Sequence, residues 1–495
     1  MCCPPDISDY RRVEAVEVHP LPQGVSVGGR LQQYSKLWST ITKDRWVMST
    51  VRDGISLDLI GIPQCNEPFD SAHSLTGRPA QLQACQETVQ SYLAKDIIEP
   101  VFDNSPGLYA AFFGVPKKDS AELRGCWDGR VLNEYIKYEH FKMEGVQTLK
   151  DLIQPGDFMT KVDISDAYPH LLIPVHLRHL FRFIWQGTVY QYRSLCFGLS
   201  SAPRIFTKVM KPVIEWIRSM GIRCVIYLDD ILLLAESPDA ARKNTQLTLD
   251  LLRYLGLLVK PSKVEAVPAQ QIEFLGLQVD SIKMMLTVPL DKIKKLQKQI
   301  RQTIDLQFGR QLTRRQLAGV IGKVTAMAGA VETAQLHTWP LIHELNKHRS
   351  TPWDRSIGTL SVQALSELRW WQTQLWSWNG RTVIPVTHTW VVTTDAAKSG
   401  WGGWWQHVDR PARPQDKTRV FFSHTEGKNS SNWRELTGVS LTIQSAVAER
   451  RSQLMQPRMA GGAGGSMSID RLVLKTRQGV FSPKQKGRTP ATGRS

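Results

Sequence analysis

The sequence lacks any cysteine pair at the spacing of redox or metal-binding motifs, although it has seven cysteines in 495 residues. Scattered cysteines are typical of reduced thiols in an intracellular protein, which argues against a disulfide scaffold or a zinc finger. Also missing are an apolar run of about 18 residues, the length of a membrane-spanning helix, and the apolar segment of a signal peptide. We therefore expect an intracellular protein of the cytoplasm or nucleus, with no membrane partner.

Acidic residues are nearly absent from residues 450–495, which hold ten Lys or Arg residues and one Asp. This segment supplies +9 of the net charge of +17, so residues 1–449 carry only +8. The charge is compatible with a nucleic-acid partner but supports one only weakly. Because the segment has a GGAGG stretch and no apolar periodicity, it is predicted to be a disordered basic tail. The abrupt change at 450 is typical of a frameshift, a mispredicted exon or a decayed element copy.

Residues 96–280 alternate between strand-like and helix-like patterns, which predicts an α+β domain. Gln186–Gly187 is a turn signal between two strand-like runs, and Ser237 followed by Pro238 is a typical helix start. Before this region the sequence predicts only a helix at 30–43. The predicted elements within it are a strand at 158–164, hairpins at 180–195 and 224–235, helices at 201–220 and 238–256, and short strands at 272–279 and 284–288.

Helical patterns dominate after residue 289. Residues 290–304 place apolar residues on one stripe with Lys and Arg opposite, and Thr313 with Gln316 forms a capping-box pattern before a helix to about 330. The basic helix at 290–304 either lies along a nucleic-acid duplex or has a merely solvated face. The further predicted elements are a helix at 360–377, strands at 389–394 and 401–407, and a helix at 432–448.

Two adjacent carboxylates, Asp229 and Asp230, interrupt the strand-like stretch CVIYLDDILLLAE at 224–236. An ionised carboxylate in an apolar environment costs several kcal/mol unless it is neutralised, and a like charge beside it raises its pKa. A divalent cation such as Mg²⁺ would resolve this conflict, because it takes oxygen ligands and keeps both groups ionised. The alternative is a solvated turn with both charges in water.

Other stretches add the groups that phosphoryl transfer needs. KVDISDAYPHLLI ends a predicted strand in Asp163, which would add a third carboxylate to a two-metal site. CFGLSSAPRIF contains Gly198, where the backbone can approach a ligand closely. Upstream, Lys117, Lys118 and Arg124 suit a triphosphate, or else they form a solvated charge run.

These stretches together resemble a reverse transcriptase. VDISDAY is similar to motif A of that family, FGLSSAP to motif B, YLDD to the YxDD box of motif C, LGLLVKPSK to motif D and IEFLGL to the primer grip. Their order matches the family, and the resemblance covers roughly residues 98–280. GGRLQQYSKLWSTITKDRWVMS, and later WNGRTVIPV with TTDAAKSGWGG, further resemble the polyproteins of DIRS-like retrotransposons of the LTR type.

The resemblance implies RNA-directed DNA polymerase activity, in which dNTPs are added to a primer 3′-OH by two-metal catalysis. Asp163 and Asp229 would bind two Mg²⁺ ions, with Mn²⁺ as an alternative, and Asp163 would bridge both. Asp230 would complete the acidic cluster. Lys263 would protonate the leaving pyrophosphate.

The resemblance also implies a set of substrate contacts. Tyr168 would be a steric gate whose ring fills the space of a ribose 2′-OH, although Tyr168 and Phe197 could instead be plain core aromatics. The backbone of Ile164, Asp166 and Ala167 would hold metal and triphosphate. The remaining implied contacts are Phe197 and Gly198 with the incoming base and template, Lys117 and Arg124 with the phosphates, and Leu275 and Gly276 with the primer terminus.

The stretch GCWDGRVLN departs from the family pattern. Trp127 and Gly129 stand where aliphatic and aromatic residues are usual. Glu122 adds a negative charge to a fingertip that usually favours positive ones.

A second acidic pair occurs near the end of the sequence. VVTTDAAKSGWGGWW places Asp395 at the end of a predicted strand, and SSNWRELTGVS places Glu435 one turn into a capped helix. A strand Asp followed by a helix Glu resembles the first half of an RNase H domain, which also uses two metals. That family needs a further Asp on a later strand, but the only acidic residue after Glu449 is Asp470, beyond a glycine-rich break. The RNase H-like part is therefore predicted to be incomplete.

The predicted fold class is α+β: a right-hand polymerase with fingers and palm, a helical thumb or connection, and a truncated RNase H-like α/β unit. The expected partners are an RNA template, a DNA primer or product duplex, and dNTPs. Two alternatives stay open: a decayed or domesticated retroelement copy that binds nucleic acid without catalysis, and a nuclease centred on Asp395 and Glu435. The predicted domains are an N-terminal extension at 1–95, fingers and palm at 96–286, a helical thumb or connection at 287–385, a partial RNase H-like region at 386–449 and the basic tail at 450–495.

Overall fold

Contacts between residues divide the chain into two compact units, Met1–Val383 and Ile384–Ser495. No helix in the part of the chain that the structure describes combines the length and the apolar character that membrane crossing requires. The computed structural model describes residues 3–19, 26–75, 77–102, 105–116, 123–384, 390–409, 411, 416–455, 472–476 and 479–480.

The N-terminal segment, which we define as residues 26–59, packs into the same core as the central sheet of the first unit. Leu31 and Trp38 are fully buried in that core, and the indole N–H of Trp38 donates to the Leu255 carbonyl at 2.9 Å. The predicted helix at 30–43 is wrong in its bounds. The segment contains a 3-10 turn at Arg30–Tyr34 and the helices α1 (Ser35–Trp38) and α2 (Arg45–Asp53).

The next elements form two small sheets and the first strand of a third. The two-residue turn Gln186–Gly187 has φ angles of 49° and 77°, the paired positive values that suit a tight hairpin, so the predicted hairpin is confirmed. β2 pairs with β3, and β1 and β5 flank β6. The elements are α3 (Pro79–Ala94), β1 (Ile98–Pro100), β2 (Phe112–Pro116), β3 (Leu123–Trp127), α4 (Arg130–Tyr135), α5 (Val146–Leu152), β4 (Phe158–Asp163), β5 (Arg182–Trp185) and β6 (Thr188–Tyr192).

The central sheet has the strand order β7-β8-β4-β9 and is covered on both faces. Ile231 and Leu233 of β8 belong to one hydrophobic cluster, and Leu232 and Leu234 belong to the other. Because both faces are buried, this strand reads as a continuous apolar run rather than an alternating one. The elements added here are α6 (Ala202–Ser219), β7 (Arg223–Tyr227), β8 (Asp230–Ala235), α7 (Pro238–Tyr254) and β9 (Glu265–Ala269).

A fourth sheet, β10-β11-β12-β13, packs with a group of helices to form the second cluster of the first unit. The prediction of one strand at 272–279 is wrong, because the chain turns at Leu275–Gly276 and forms a hairpin. The capping box of Thr313 with Gln316 is confirmed. The elements are β10 (Gln271–Phe274), β11 (Leu277–Asp280), β12 (Met285–Thr287), α8 (Leu290–Phe308), α9 (Arg314–Met327), α10 (Ala334–Lys347), α11 (Val362–Thr373), α12 (Leu375–Trp378) and β13 (Arg381–Thr382).

The second unit is one mixed sheet, β16-β15-β14-β17-β18, with a helix packed on β14 and β15. Gly403 allows this close packing, because a Cβ there would lie 2.3 Å from Oγ1 of Thr442 on the helix. Only β17 runs parallel to a neighbour, β14. The elements are β14 (Trp390–Ala396), β15 (Gly400–His407), β16 (Lys417–Phe421), α13 (Ser431–Met455), β17 (Leu472–Thr476) and β18 (Gly479–Val480).

The predicted disordered tail differs from the structure where the structure describes it. The helix that was predicted to end at 448 continues to Met455, and residues 472–476 form a strand of the sheet. The prediction of a tail without regular structure is therefore wrong for these residues. Residues 456–471, 477–478 and 481–495 lie outside the described residues.

Candidate active site

Three carboxylates lie at one end of the central sheet. β4 ends with Asp163 and β8 begins with Asp230, and the antiparallel register places these residues directly opposite each other. Their side chains therefore point to the same face of the sheet. Asp229 precedes β8, and its carbonyl accepts a hydrogen bond from the Ile164 N–H at 2.9 Å. Strand pairing thus brings Asp163 together with Asp229 and Asp230, which are distant from it in sequence.

The tip of the β7–β8 hairpin is a strained two-residue turn. Leu228 and Asp229 connect Tyr227 to its paired residue Asp230. Leu228 has a φ of 56°, a conformation that costs a non-glycine residue on the order of 1–2 kcal/mol. Strand pairing on both sides holds this turn, and the turn in turn fixes where Asp229 and Asp230 emerge.

The cluster is electrostatically short of positive charge. The side chain of Asp163 is 4% exposed, and its Oδ2 lies 2.6 Å from Nζ of Lys263. Burial, and then the charges of Asp229 and Asp163, raise the pKa of Asp230 to about 6. Burial opposes the charge of Lys263, but its hydrogen bond to Asp163 and the three nearby carboxylates raise the Lys263 pKa. The charges of Lys161 and Lys263 lower the pKa of Asp230, but they do not cancel the effect of burial and of the two other carboxylates.

The donor set of this cluster fits a divalent cation. Carboxylate oxygens are the ligands that Mg²⁺ prefers, and a cation would remove the repulsion that raises the pKa of Asp230. In the described part of the chain, no three His, Cys, Asp or Glu side chains stand close enough together to bind a metal ion. Of the three carboxylates, Asp163 is already paired with Lys263, so a cation bound there would compete with that ammonium group.

The turn after β4, residues 164–167, presents backbone amides beside the cluster. The Ile164 N–H is used by Asp229, and the Ser165 N–H donates to Leu258 at 2.7 Å. The amides of Asp166 and Ala167 donate to no described residue. These two N–H groups are therefore available to an anion, whereas Ile164 has only its carbonyl to offer.

A buried histidine sets the orientation of this turn. Nδ1 of His170 lies 3.0 Å from the Asp166 carbonyl, and Nε2 lies 3.0 Å from the Leu258 amide nitrogen. A carbonyl can only accept and an amide can only donate, so His170 is neutral with its proton on Nδ1. Burial lowers its pKa to about 4, in agreement with this state. Because carbonyl and N–H point in opposite directions across a trans peptide, the Ala167 N–H faces away from His170.

The predicted steric gate lies in an aromatic cluster beside this turn. Tyr168 is 7% exposed, with its ring centroid 4.9 Å from that of Phe197 and 5.7 Å from that of Phe206. Phe206 belongs to α6. The rings of Tyr168 and Phe197, which come from two different sequence motifs, therefore pack in one aromatic cluster. The structure thus brings the two predicted residues together.

Gly198 is held by the stretch that departs from the family pattern. Gly198 has a φ of 114°, and a Cβ there would lie 1.9 Å from the Trp127 carbonyl. Nδ2 of Asn133 donates to the Gly198 carbonyl at 2.9 Å, and a Cβ on Gly129 would lie 2.4 Å from that same oxygen. The close approach requires glycine at both positions, and it explains Gly129 as a packing partner of Gly198.

The predicted phosphate contacts are only partly described. Lys117, Lys118 and Glu122 lie outside the described residues. Arg124 lies on β3, where its backbone pairs with Val115.

Leu275 and Gly276 form the turn of the β10–β11 hairpin, with φ angles of 49° and 77°. Nζ of Lys292, on the first turn of α8, donates to the Gly276 carbonyl at 2.7 Å. The same ammonium pairs with Glu273 at 2.6 Å. One residue of the predicted basic face of α8 is therefore engaged in fixing the predicted primer-grip turn.

The second unit brings two acidic residues together. Burial and then the charge of Asp395 raise the pKa of Glu435, so the two carboxyl groups are close enough to interact. Asp395 is exposed and Glu435 is partly buried. The parallel neighbour of β14 is β17, with Thr476 opposite Thr394, and β17 has the sequence LVLKT without an acidic residue. Asp470 lies outside the described residues.

Three residues that position the first site were not predicted from the sequence. His170 is a polar residue in the apolar stretch YPHLLI, four positions after Asp166, which was the available signal. The sequence contains no such signal for Asn133 or Lys95, because their partners Gly198 and Asp166 are remote in sequence.

Residues 115–279 match the family model of the reverse transcriptase (RNA-dependent DNA polymerase) domain. This stretch is therefore similar to reverse transcriptase domains. The match includes the β4 and β8 carboxylates, Lys263 and the Leu275–Gly276 turn. The predicted fold class, a polymerase fold of mixed helix and sheet, is also confirmed by solved structures. One is a foamy viral protease-reverse transcriptase in complex with an RNA/DNA hybrid, with a TM-score of 0.55, 13% identity and coverage of 97% of this chain and 67% of that one.

A second solved structure, of the foamy viral protease-reverse transcriptase with double-stranded DNA, has a TM-score of 0.55 and 14% identity, and covers 94% of this chain and 100% of that one. Among curated proteins, the transposon Tf2-3 and Tf2-4 polyproteins of Schizosaccharomyces pombe (strain 972 / ATCC 24843) are 24% identical over 277 residues, or 56% of this chain. The chain spans 19% of the length of these polyproteins.

Proposed function

We propose that the chain is an RNA-directed DNA polymerase of a DIRS-like retroelement, which adds dNTPs to a primer 3′-OH on an RNA template. The proposal rests mainly on one observation: Asp163 and Asp230 are paired directly opposite each other on adjacent strands, and Asp229 lies at the tip of the adjoining hairpin. The similarity of residues 115–279 to reverse transcriptase domains and the transposon relatives support it. The two foamy viral complexes, one with an RNA/DNA hybrid and one with double-stranded DNA, support a template–primer duplex as the partner.

Asp163, Asp229 and Asp230 would hold two divalent cations, Mg²⁺ or Mn²⁺. When bound, such ions activate an attacking hydroxyl and stabilise the leaving pyrophosphate. Lys263 lies against Asp163 with a raised pKa and so stays protonated at neutral pH. Its ammonium group would donate a proton to the leaving pyrophosphate.

The nucleotide would lie along the turn after β4. The amides of Asp166 and Ala167 are available to the triphosphate, with Lys117 and Arg124 as further phosphate contacts. Tyr168 would exclude a ribose 2′-OH, because its ring is wedged against Phe197 and so has no room to yield. Two other parts carry proposed roles: Phe197 and Gly198 would contact the base and the template, and the Leu275–Gly276 turn would position the primer terminus.

We further propose fingers and palm at 96–286 and a thumb or connection at 287–385. In the second unit, Asp395 and Glu435 would form an RNase H-like pair on the β14 strand and the α13 helix. The parallel pairing of β14 with β17 after that helix supports this reading. Since β17 has no acidic residue, we expect no cleavage of an RNA/DNA hybrid.

The test is extension of a DNA primer on an RNA template in the presence of dNTPs and Mg²⁺. We expect extension by the full chain and none by Asp229→Asn. The matched control is Asp239→Asn, which removes a carboxylate that is 82% exposed on α7 and should leave extension unchanged. Binding of the duplex without metal-dependent extension would instead identify a decayed or domesticated copy.

A further inference from the structure

The turn that would hold the triphosphate carries a negative charge of its own. Asp166 has a φ of 48°, and its amide is one of the two that donate to no described residue. Its carboxylate belongs to the same residue, so it lies within a few bond lengths of that amide. A triphosphate bound to the amide would therefore meet a carboxylate of the same sign.

A lysine from outside the family match neutralises that carboxylate. Nζ of Lys95 lies 2.8 Å from Oδ2 of Asp166, and the two side chains are 38% and 32% exposed. Lys95 is the C-cap residue that follows α3, 71 residues upstream of Asp166. The other acidic groups near this helix end have their own partner, since Asp96 and Glu99 both pair with Arg193. The charge of Lys95 is thus directed to Asp166.

The N-terminal segment fixes the backbone of this lysine. The N–H groups of Val27 and Gly28 both donate to the Lys95 carbonyl at 2.9 Å. The neighbouring Gly29 N–H donates to the carbonyl of Pro169, two residues after the turn at 164–167, at 2.9 Å. Residues 27–29 therefore link the backbone of Lys95 to the segment that follows the turn.

We propose that Lys95 is a positioning residue that cancels the charge of Asp166, so that the turn can bind the triphosphate of the incoming nucleotide through its backbone amides. This inference rests on the proposed polymerase function. The residue acts through Asp166 and does not itself contact the nucleotide. Loss of the Lys95 charge should therefore weaken nucleotide binding only while the Asp166 carboxylate is present.

The experiment is single-nucleotide incorporation on an RNA template, with KM for the dNTP and kcat measured separately. Lys95→Met keeps the apolar stem but removes the charge. We expect KM to rise about fivefold while kcat stays within about twofold, because the uncompensated carboxylate opposes the triphosphate equally in the ground state and in the transition state. Lys95→Arg should retain the wild-type KM. Lys95→Met combined with Asp166→Asn should return KM to near the wild-type value.

The control is Lys211→Met, which breaks an exposed pair with Glu215 on α6 and changes the net charge equally. It should leave KM unchanged, and thermal melting should be similar for all variants, since an exposed ion pair stabilises the fold little. An unchanged KM in Lys95→Met would overturn the inference. A raised KM that Asp166→Asn does not correct would overturn it as well, since it would mean direct contact between lysine and phosphate.

Equilibrium binding of a dNTP to the protein–primer–template complex in Ca²⁺ separates this inference from the polymerase proposal. Nucleotide affinity should be weakened in Lys95→Met and should be close to the wild-type value in Lys95→Arg and in Lys95→Met combined with Asp166→Asn, without any turnover. If the pattern holds but the wild type does not extend a primer in Mg²⁺, the polymerase proposal fails and the role of Lys95 stands. If extension occurs but the affinity pattern is absent, the role of Lys95 fails alone.

Discussion

The acidic sites of the two units differ in how their carboxylates are fixed. In the first unit, Asp163 and Asp230 are paired residues of adjacent strands, and Asp229 is the tip of the same hairpin. In the second unit, Asp395 comes from a strand and Glu435 from a helix, and the adjacent parallel strand has no acidic residue. A cluster built from one strand register is completed by folding a single sheet. A cluster whose carboxylates come from three separate elements is incomplete when one of those elements has no acidic residue.

The environments of the two sites differ as well. In the first cluster Asp163 is buried against a lysine, and Asp229 and Asp230 are half-buried, with a pKa of about 6 for Asp230. The second pair is more exposed, with Asp395 open to solvent. Burial raises the cost of uncompensated negative charge, and that cost is what a metal ion would relieve. We therefore expect metal-dependent chemistry at the first site and none at the second.

The largest expected effect separates the two sites directly. Asp163→Asn should reduce RNA-templated primer extension by roughly 10³-fold or more, because catalytic groups that act as a unit fail together. Asp395→Asn should leave extension unchanged. The measurement is single-turnover extension by the two variants and the wild type. Equal losses in both variants would mean that the comparison is wrong.

Tyr168→Ala tests whether the aromatic cluster selects the sugar or only fills the core. We expect discrimination between dNTP and rNTP to fall by roughly 10–100-fold, since a truncated ring no longer excludes the 2′-OH. Tyr168→Phe should keep the discrimination, because the ring remains. The check is the ratio of kcat/KM for the two sugars. A destabilised Tyr168→Ala with unchanged discrimination would identify a plain core aromatic.

His170 makes the stability of the first unit depend on pH. Its pKa of about 4 in the folded protein is below the value of about 6.5 expected for an unfolded chain. The neutral ring therefore stabilises the fold fully above pH 6.5, and this contribution is lost as the pH falls towards 4, up to about 3 kcal/mol. Urea unfolding of the wild type and of His170→Gln across this range measures it. His176→Gln, an exposed control, should follow the wild type.

Asp230→Asn should stabilise the metal-free protein while it abolishes extension. A carboxyl group with a raised pKa destabilises the fold above that pKa, so at pH 7.5 removal of the charge should add about 1–2 kcal/mol. Glu435→Gln in the second unit should add less, because that group is less buried. Urea unfolding in EDTA measures both. Equal stabilisation by the two substitutions would contradict the claim that the charge of Asp230 is more costly to the fold than the charge of Glu435.

Sequence reasoning predicted the local features of the first unit. The YLDD hairpin, the Gln186–Gly187 turn and the Thr313 capping box depend on neighbouring residues, and each is visible in a short stretch. The bounds near Leu275–Gly276 were wrong, because two short strands and a tight turn read as one apolar run. The helix at Ala334–Lys347 was missed because Pro340 lies inside it.

The unpredicted parts depend on contacts between remote residues. The pairing of Lys95 with Asp166, the hold of Asn133 on Gly198 and the bond from Trp38 to Leu255 each join separate segments. The N-terminal segment was predicted to be an extension, yet it shares the core of the central sheet. No periodicity or spacing within one segment signals such contacts, because they form only when the chain is folded.

The central claim is that Asp163, Asp229 and Asp230 form a metal-dependent polymerisation site. The most direct measurement is incorporation of a single dNTP at a primer end on an RNA template, followed while Mg²⁺ is titrated into metal-free protein. We predict incorporation that rises with Mg²⁺ in the wild type and is absent at every Mg²⁺ concentration in Asp163→Asn. Incorporation by Asp163→Asn at the wild-type rate, or tight duplex binding by the wild type without any incorporation, would contradict the claim.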